Sequence, residues 1–325
     1  MRNDQLPAPQ FDACSVRSTD LGEPVAGTAT TQSAWLVLEQ PGPWGRQALV
    51  ESDLDAELGA ELDGRTAGTD VRVALIRRPG TGQDQAPPAH RWFAASTHPE
   101  RMWLATGVVV HPTDLLRIDF PALDAGLRSA VSALKHEMVS EPVLLVCTNG
   151  KRDQCCATRG RQVAVAAAAL DQAARGADAL PVVWEVTHIG GHKFSPTAAV
   201  LPSGYLYGRL DAERATRVLG DARHGAVVLD GCRGRTTWGR AGQAAELAVR
   251  TEIGERAAGA LTVTSERRTA PDPSPAWTVV VSHQDGRAFA VSVIGAMAAL
   301  ARPESCGKTA SVPLVLTVGA VEKIH

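Results

Sequence analysis

The chain has 325 residues, with 33 Lys and Arg against 35 Asp and Glu and a net charge of −2. So even a balance excludes nucleic-acid or anionic-membrane binding by bulk charge alone, and the length allows more than one domain with a full core. The longest apolar run, residues 163–170, is too short to span a bilayer, and the polar start Arg2-Asn3-Asp4 lacks a secretory h-region.

Residues 1–30 read as an irregular lead-in. A strand is expected over 35–39, a helix over 53–62, a strand over 71–76, and a hairpin-like pair over 91–95 and 103–106, followed by helical signal across 115–137. The pattern then repeats. Apolar residues 143–146 predict a strand, the Ala-rich stretch 160–174 a helix, 182–186 a strand, 198–201 and 205–210 a hairpin turning at Pro202-Ser203-Gly204, and 211–219 a helix. Each half therefore reads β-α-β-β-β-α. A βαβ unit followed by a hairpin and a helix is the thioredoxin-like arrangement, in which redox chemistry usually sits on the loop after the first strand. Both first strand-to-helix connections end in Gly-Arg-Gln, at Gly45-Arg46-Gln47 and Gly160-Arg161-Gln162, which suggests a degenerate tandem of two such halves. Beyond them a helix over 240–258 and strands over 260–264, 277–282 and 288–292 predict a small α+β extension, with a Pro-rich connection at 269–275. The expected division is an N-terminal α/β domain over 1–138, a second domain over 139–240 and the extension over 241–325.

Chemistry concentrates in the second half. Cys147 and Cys156 share one loop at C-x8-C spacing, and His188-Ile-Gly-Gly-His192 supplies two imidazoles with three residues between them. Two thiolates and two imidazoles make a metal or iron–sulfur ligand set, and the spacing is not the short knuckle of a common zinc finger. Gly190 and Gly191 disfavour a helix and permit positive φ or close approach to a bulky group. The adjacent Cys155 competes with Cys156, because neighbouring side chains diverge and only one is expected to reach a given ion. The cations Lys151, Arg152, Arg159, Arg161, Lys193 and Arg209 either stabilise thiolate and dock an acidic partner or form a solvated rim. Asp153 is expected to pair with Arg152 or to cap the loop. The six Cys fit no compact disulfide framework, so a reducing cytoplasm is expected. Cys306 has no readable partner and is taken as an ordinary thiol.

The stretches Cys147-Thr-Asn-Gly-Lys-Arg-Asp153, Trp184-Glu185, His188 to Pro196 and Leu201-Pro-Ser-Gly-Tyr-Leu-Tyr-Gly-Arg209 closely resemble the sucrase/ferredoxin-like family, a group of thioredoxin-like ferredoxins. Leu21 to Thr28, Glu39-Gln-Pro-Gly-Pro-Trp-Gly45, Arg233-Gly-Arg235 and Gln243-Ala-Ala-Glu246 carry the same resemblance. It implies a 2Fe-2S cluster on Cys147, Cys156, His188 and His192, with the family spacing selecting Cys156 over Cys155. It also implies an electron carrier rather than a catalyst, exchanging electrons with a reductase and an acceptor protein, both unidentified, with no nucleic-acid or membrane partner. A structural zinc ion on the same four residues is the first alternative. A thiol–disulfide oxidoreductase is the second, although no C-x-x-C marks one. Sucrose cleavage is discounted, since no carboxylate pair of the glycosidase kind is visible.

Overall fold

The computed structural model describes residues 13–80, 88–176 and 179–325. It opens with a short helix, α1 (Cys14–Asp20), where an irregular lead-in was expected; the first twelve residues of that lead-in lie outside those described. The first strand, β1 (Ala34–Glu39), is buried at all six positions, as befits an apolar run covered on both faces. Helix α2 (Ala56–Gly64) follows, its start fixed by the Asp55 carboxylate accepting from the Leu58 amide at 2.8 Å. It leads into β2 (Val71–Arg77), parallel to β1. On the other side of β1 come β3 (His90–Ser96) and β4 (Trp103–Val109), each antiparallel to its neighbour. The helical signal over 115–137 does not form one helix. It yields only α3 (Phe120–Asp124) and 3₁₀ turns at Pro112–Arg117 and Arg128–Val131, because Pro112 and Pro121 can only start a helical turn and Gly126, at φ 71°, ends one. The two-residue β5 (Glu137–Met138) then pairs with β4.

The second half retraces this path. Strand β6 (Val143–Cys147) is followed by α4 (Arg161–Arg175) and by β7 (Val183–Val186), parallel to β6. On the far side lie the antiparallel β8 (Ala198–Leu201) and β9 (Tyr205–Tyr207). Helix α5 (Ala212–Arg223) and an edge strand, β10 (Cys232–Arg235), complete it. The order β7-β6-β8-β9-β10 matches β2-β1-β3-β4-β5 in sequence and sense, so both halves have the thioredoxin-like βαβ-plus-hairpin topology. They meet where β2 runs antiparallel to β7, pairing Ile76 with Val186 and Arg77 with Glu185, and form one ten-stranded mixed sheet.

Helix α6 (Arg240–Ile253) stops five residues short of expectation, at Gly254, whose φ of 69° closes the helix in the left-handed region. It packs Ala241, Ala245 and Val249 on a separate antiparallel sheet of β11 (Leu261–Ala270), β12 (Ala276–His283), β13 (Ala288–Met297) and β14 (Leu314–Lys323). The helix's other face is polar and buried. Gln243 bonds both the amide and the carbonyl of Ala29, and Arg250 reaches Glu246 at 3.0 Å and the Tyr205 hydroxyl at 2.8 Å, which ties the extension to the large sheet. No helix among the described residues is long and apolar enough to cross a membrane.

Candidate metal centre

Cys147 is the last residue of β6, and Cys156 opens a π-helical turn, Cys156–Gly160, that leads into α4. The turn lies against the strand end: a Cβ on Gly160 would come 2.2 Å from the Cys147 carbonyl oxygen, so only glycine fits. π-Helical turns of this kind recur at functional sites. The His188–His192 segment leaves the end of the neighbouring β7 and turns through Gly190 and Gly191 at φ 80° and 76°, the positive values expected of that pair.

These elements bring the four predicted residues together. The Cys156 sulfur lies 3.7 Å from His192 Nδ1, the His188 and His192 rings stack at 4.3 Å, and Cys156 and His188 both act on the Cys147 thiol. Both thiols are 1 % exposed, whereas both imidazoles are half-buried. Hydrogen bonds from Cys156 and His188 hold the Cys147 thiol well below its ordinary pKa despite its burial, while the neighbouring Cys147 and burial push Cys156 well above. Burial and the facing His188 lower His192 to about 4, so it is a neutral nitrogen donor at neutral pH.

A family model described as sucrase/ferredoxin-like matches residues 25–234. The chain belongs to the sucrase/ferredoxin-like family. No curated protein and no solved structure matched it.

In this sucrase/ferredoxin-like chain the histidine loop is held by residues that sequence reasoning left without a role. The carbonyl of His188 accepts from Arg72 Nη2, that of Ile189 from Thr30 Oγ1 at 3.3 Å, and that of Gly190 from Arg233 Nη1 at 3.0 Å. Three successive carbonyls are thus pinned from three distant segments. Burial brings Arg72 and Arg233 down to about 10, still cationic at neutral pH, and both feel the Cys147 charge. An arginine inside the apolar strand Val71-Arg72-Val73 was the available signal, since a charge there requires a buried partner.

The first half braces the same loop. Glu185 on β7 accepts from Arg77 at 2.8 Å and from Thr148 Oγ1 at 2.8 Å; Arg77 also reaches the Gly42 carbonyl and stacks over Trp44, and Asn149 donates to the Gly45 carbonyl at 3.1 Å. The Glu39 to Gly45 and Trp184-Glu185 motifs therefore meet at the junction of the halves. Of the cations, Lys193 is spent on Glu23 and Glu304 at 2.7 and 2.8 Å, and Arg209 on the carbonyls of Ser18 and Glu23.

Next to this site one of the two alternatives for Asp153 holds and the reading of Cys306 is corrected. Asp153 does not pair with Arg152; it caps its own loop through the Cys155 amide at 2.9 Å and accepts from the Cys306 amide at 2.8 Å and Ser305 Oγ at 2.9 Å. Cys306 is no solitary thiol, since its sulfur lies 3.2 Å from that of Cys155 and 3.5 Å from that of Cys14. The vicinal cysteines point different ways because successive residues of a helical turn are rotated about its axis, Cys156 toward His192 and Cys155 toward Cys14 and Cys306. Among the described residues, the set of metal-ligating atoms that all lie within 4.8 Å of one another is Cys14, Asp153, Cys155 and Cys306.

Proposed function

We propose that this chain is an electron-transfer protein holding a 2Fe-2S cluster on Cys147, Cys156, His188 and His192. The observation that carries the reading is the convergence of two buried thiols and two half-buried imidazoles at adjacent strand ends of the half that bears the family motifs. The donor set fits: soft sulfurs and neutral imidazoles are the ligands of mixed Cys/His iron–sulfur centres. When bound, such a cluster accepts and releases single electrons at a potential higher than that of an all-thiolate site.

The chain's own residues supply the rest. Cys147 is already biased to thiolate, and Cys156 must release its proton to become a ligand. Arg72 and Arg233 offset negative charge at the buried end while fixing the histidine loop. His192 turns Nδ1 toward Cys156, which leaves Nε2 to exchange a proton with solvent. Beside His188 opens a cleft of ≈ 560 Å³ lined by Arg46, Arg72, Asn149 and Arg152, a basic mouth suited to an acidic partner protein.

Potentiometry of the purified protein tests the proposal. The midpoint potential is expected to fall as pH rises through the titration of the outer imidazole nitrogens, because reduction then takes up a proton. A potential flat from roughly pH 5 to 10 overturns imidazole ligation with solvent-facing nitrogens.

A further inference from the structure

The thiols of Cys14, Cys155 and Cys306 and the carboxylate of Asp153 belong to no part of the function just described, yet they form the tightest group of ligand atoms among the described residues. We propose that they are a second metal site, a structural Cys3Asp zinc centre that staples α1 and the C-terminal segment to the cysteine loop.

The geometry carries this. Bonds of about 2.3 Å from zinc to sulfur, at the tetrahedral angle, put neighbouring sulfurs about 3.8 Å apart, and a carboxylate oxygen at about 2.1 Å lies about 3.6 Å from each sulfur. The three sulfur–sulfur distances are 3.8 Å for Cys14–Cys155, 3.5 Å for Cys14–Cys306 and 3.2 Å for Cys155–Cys306. Asp153 Oδ1 lies 3.3 Å from the Cys306 sulfur and 3.8 Å from that of Cys14. A small inward ion needs only slight expansion of this shell. A two-iron core would need its ligand pairs on opposite sides, further apart than a set confined within 4.8 Å.

The surroundings are those of a ligand set. The carboxylate is oriented by three donors, the amides of Cys155 and Cys306 and the Ser305 hydroxyl, the outer bonding that fixes metal-binding carboxylates. Three thiolates and a carboxylate cannot all be ionised at such distances without a cation. The nearby cations are engaged elsewhere: Lys193 pairs with Glu23 and Glu304, and Arg302 with Glu23. Soft sulfur donors in a tetrahedral shell select zinc over the hard divalent ions.

The consequence is mechanical. Residues 139 to 292 positions apart are gathered on one point, and one of them is the peptide neighbour of Cys156. A zinc ion here anchors the loop carrying Cys156 to α1 and the C-terminal segment, without being an electron carrier itself.

The test is elemental analysis of the full-length protein, isolated without chelators from cells supplied with both metals, with zinc counted separately from iron. About one zinc per chain is expected, falling below about a tenth in Cys14→Ser and in Cys306→Ser, while Cys232→Ser, buried outside both sets, keeps it. Zinc-edge anomalous scattering from wild-type crystals requires no variant, and its peak is expected among the three sulfurs and Asp153. Zinc-free wild type, zinc retained in both serine variants, a peak between Cys147 and the histidines, or a Cys155–Cys306 disulfide in freshly isolated protein would each overturn the proposal. Because iron is counted independently, loss of the cluster reading leaves this result unchanged, and the reverse holds.

Discussion

Replacing Gly191 by alanine should destabilise the chain far more than a comparable change at Gly254, and the difference measures how rigidly the histidine loop is held. Both glycines have positive φ, 76° and 69°, so both substitutions carry the left-handed penalty of roughly 1–2 kcal/mol. At Gly254 the new Cβ meets nothing within 4 Å. At Gly191 it would lie 2.3 Å from Arg233 Nη2 and 2.4 Å from Cζ, and the guanidinium has no room to retreat because it bonds Thr28 Oγ1 at 3.1 Å, the Thr28 carbonyl and the Gly190 carbonyl at 3.0 Å. A charged hydrogen bond is worth about 1.5–3 kcal/mol, so losing one or two of middling strength, about 2–2.5 kcal/mol each, adds about 2–5 kcal/mol. Gly191→Ala is therefore expected to cost roughly 3–7 kcal/mol and Gly254→Ala roughly 1–2 kcal/mol. Urea unfolding of the full chain, followed by the fluorescence of its 7 tryptophans, reads both values. Equal costs for the two variants would refute the claim that Arg233 is a fixed wall behind the loop.

The vicinal cysteines should separate by colour: Cys156→Ser is expected to abolish the visible absorption of anaerobically isolated protein and Cys155→Ser to retain it, and the opposite outcome would reassign the ligand. Removing the Glu185 carboxylate as Glu185→Ala strands Arg77 in a buried pocket and should cost about 3–5 kcal/mol in the same unfolding assay; a loss under about 1 kcal/mol would show that the junction of the halves is not braced there. Burial alone would raise the Glu23 carboxyl, but Arg302 and Lys193 hold it below its ordinary value. A carboxylate lowered in the folded state stabilises above its unfolded pKa and loses that contribution as pH falls through the folded one. The stability gap between wild type and Glu23→Gln should thus be widest near neutrality and close on acidification, and a gap independent of pH would contradict the pairing.

The candidate residues were legible because apolar runs mark the strands before them: Cys147 closes one, Cys156 sits on the loop that follows it, and His188 and His192 follow the next. The βαβ-plus-hairpin order was legible for the same reason, in both halves. What escaped was set by distance. Cys14 and Cys306 acquire partners only after α1 and the C-terminal segment return to the cysteine loop, and nothing local encodes that meeting. Strand β10 escaped because Cys232-Arg-Gly-Arg235 has no apolar alternation; it is a strand because Arg233 and Arg235 both find buried carbonyl partners. Strand β14 lies beyond a long connection after β13 and was not marked by turn signals. The helical signal at 115–137 misled because local propensity competes there with two prolines and a glycine.

The most direct test of the central claim is pulsed EPR on the dithionite-reduced protein, prepared anaerobically and assayed in parallel for iron and acid-labile sulfide. Expected is a two-iron, two-sulfide centre whose unpaired electron couples to nitrogens of two imidazoles, one of which is lost in His188→Cys and the other in His192→Cys. A reduced protein with no iron signal, or a signal without strong nitrogen coupling, would contradict it.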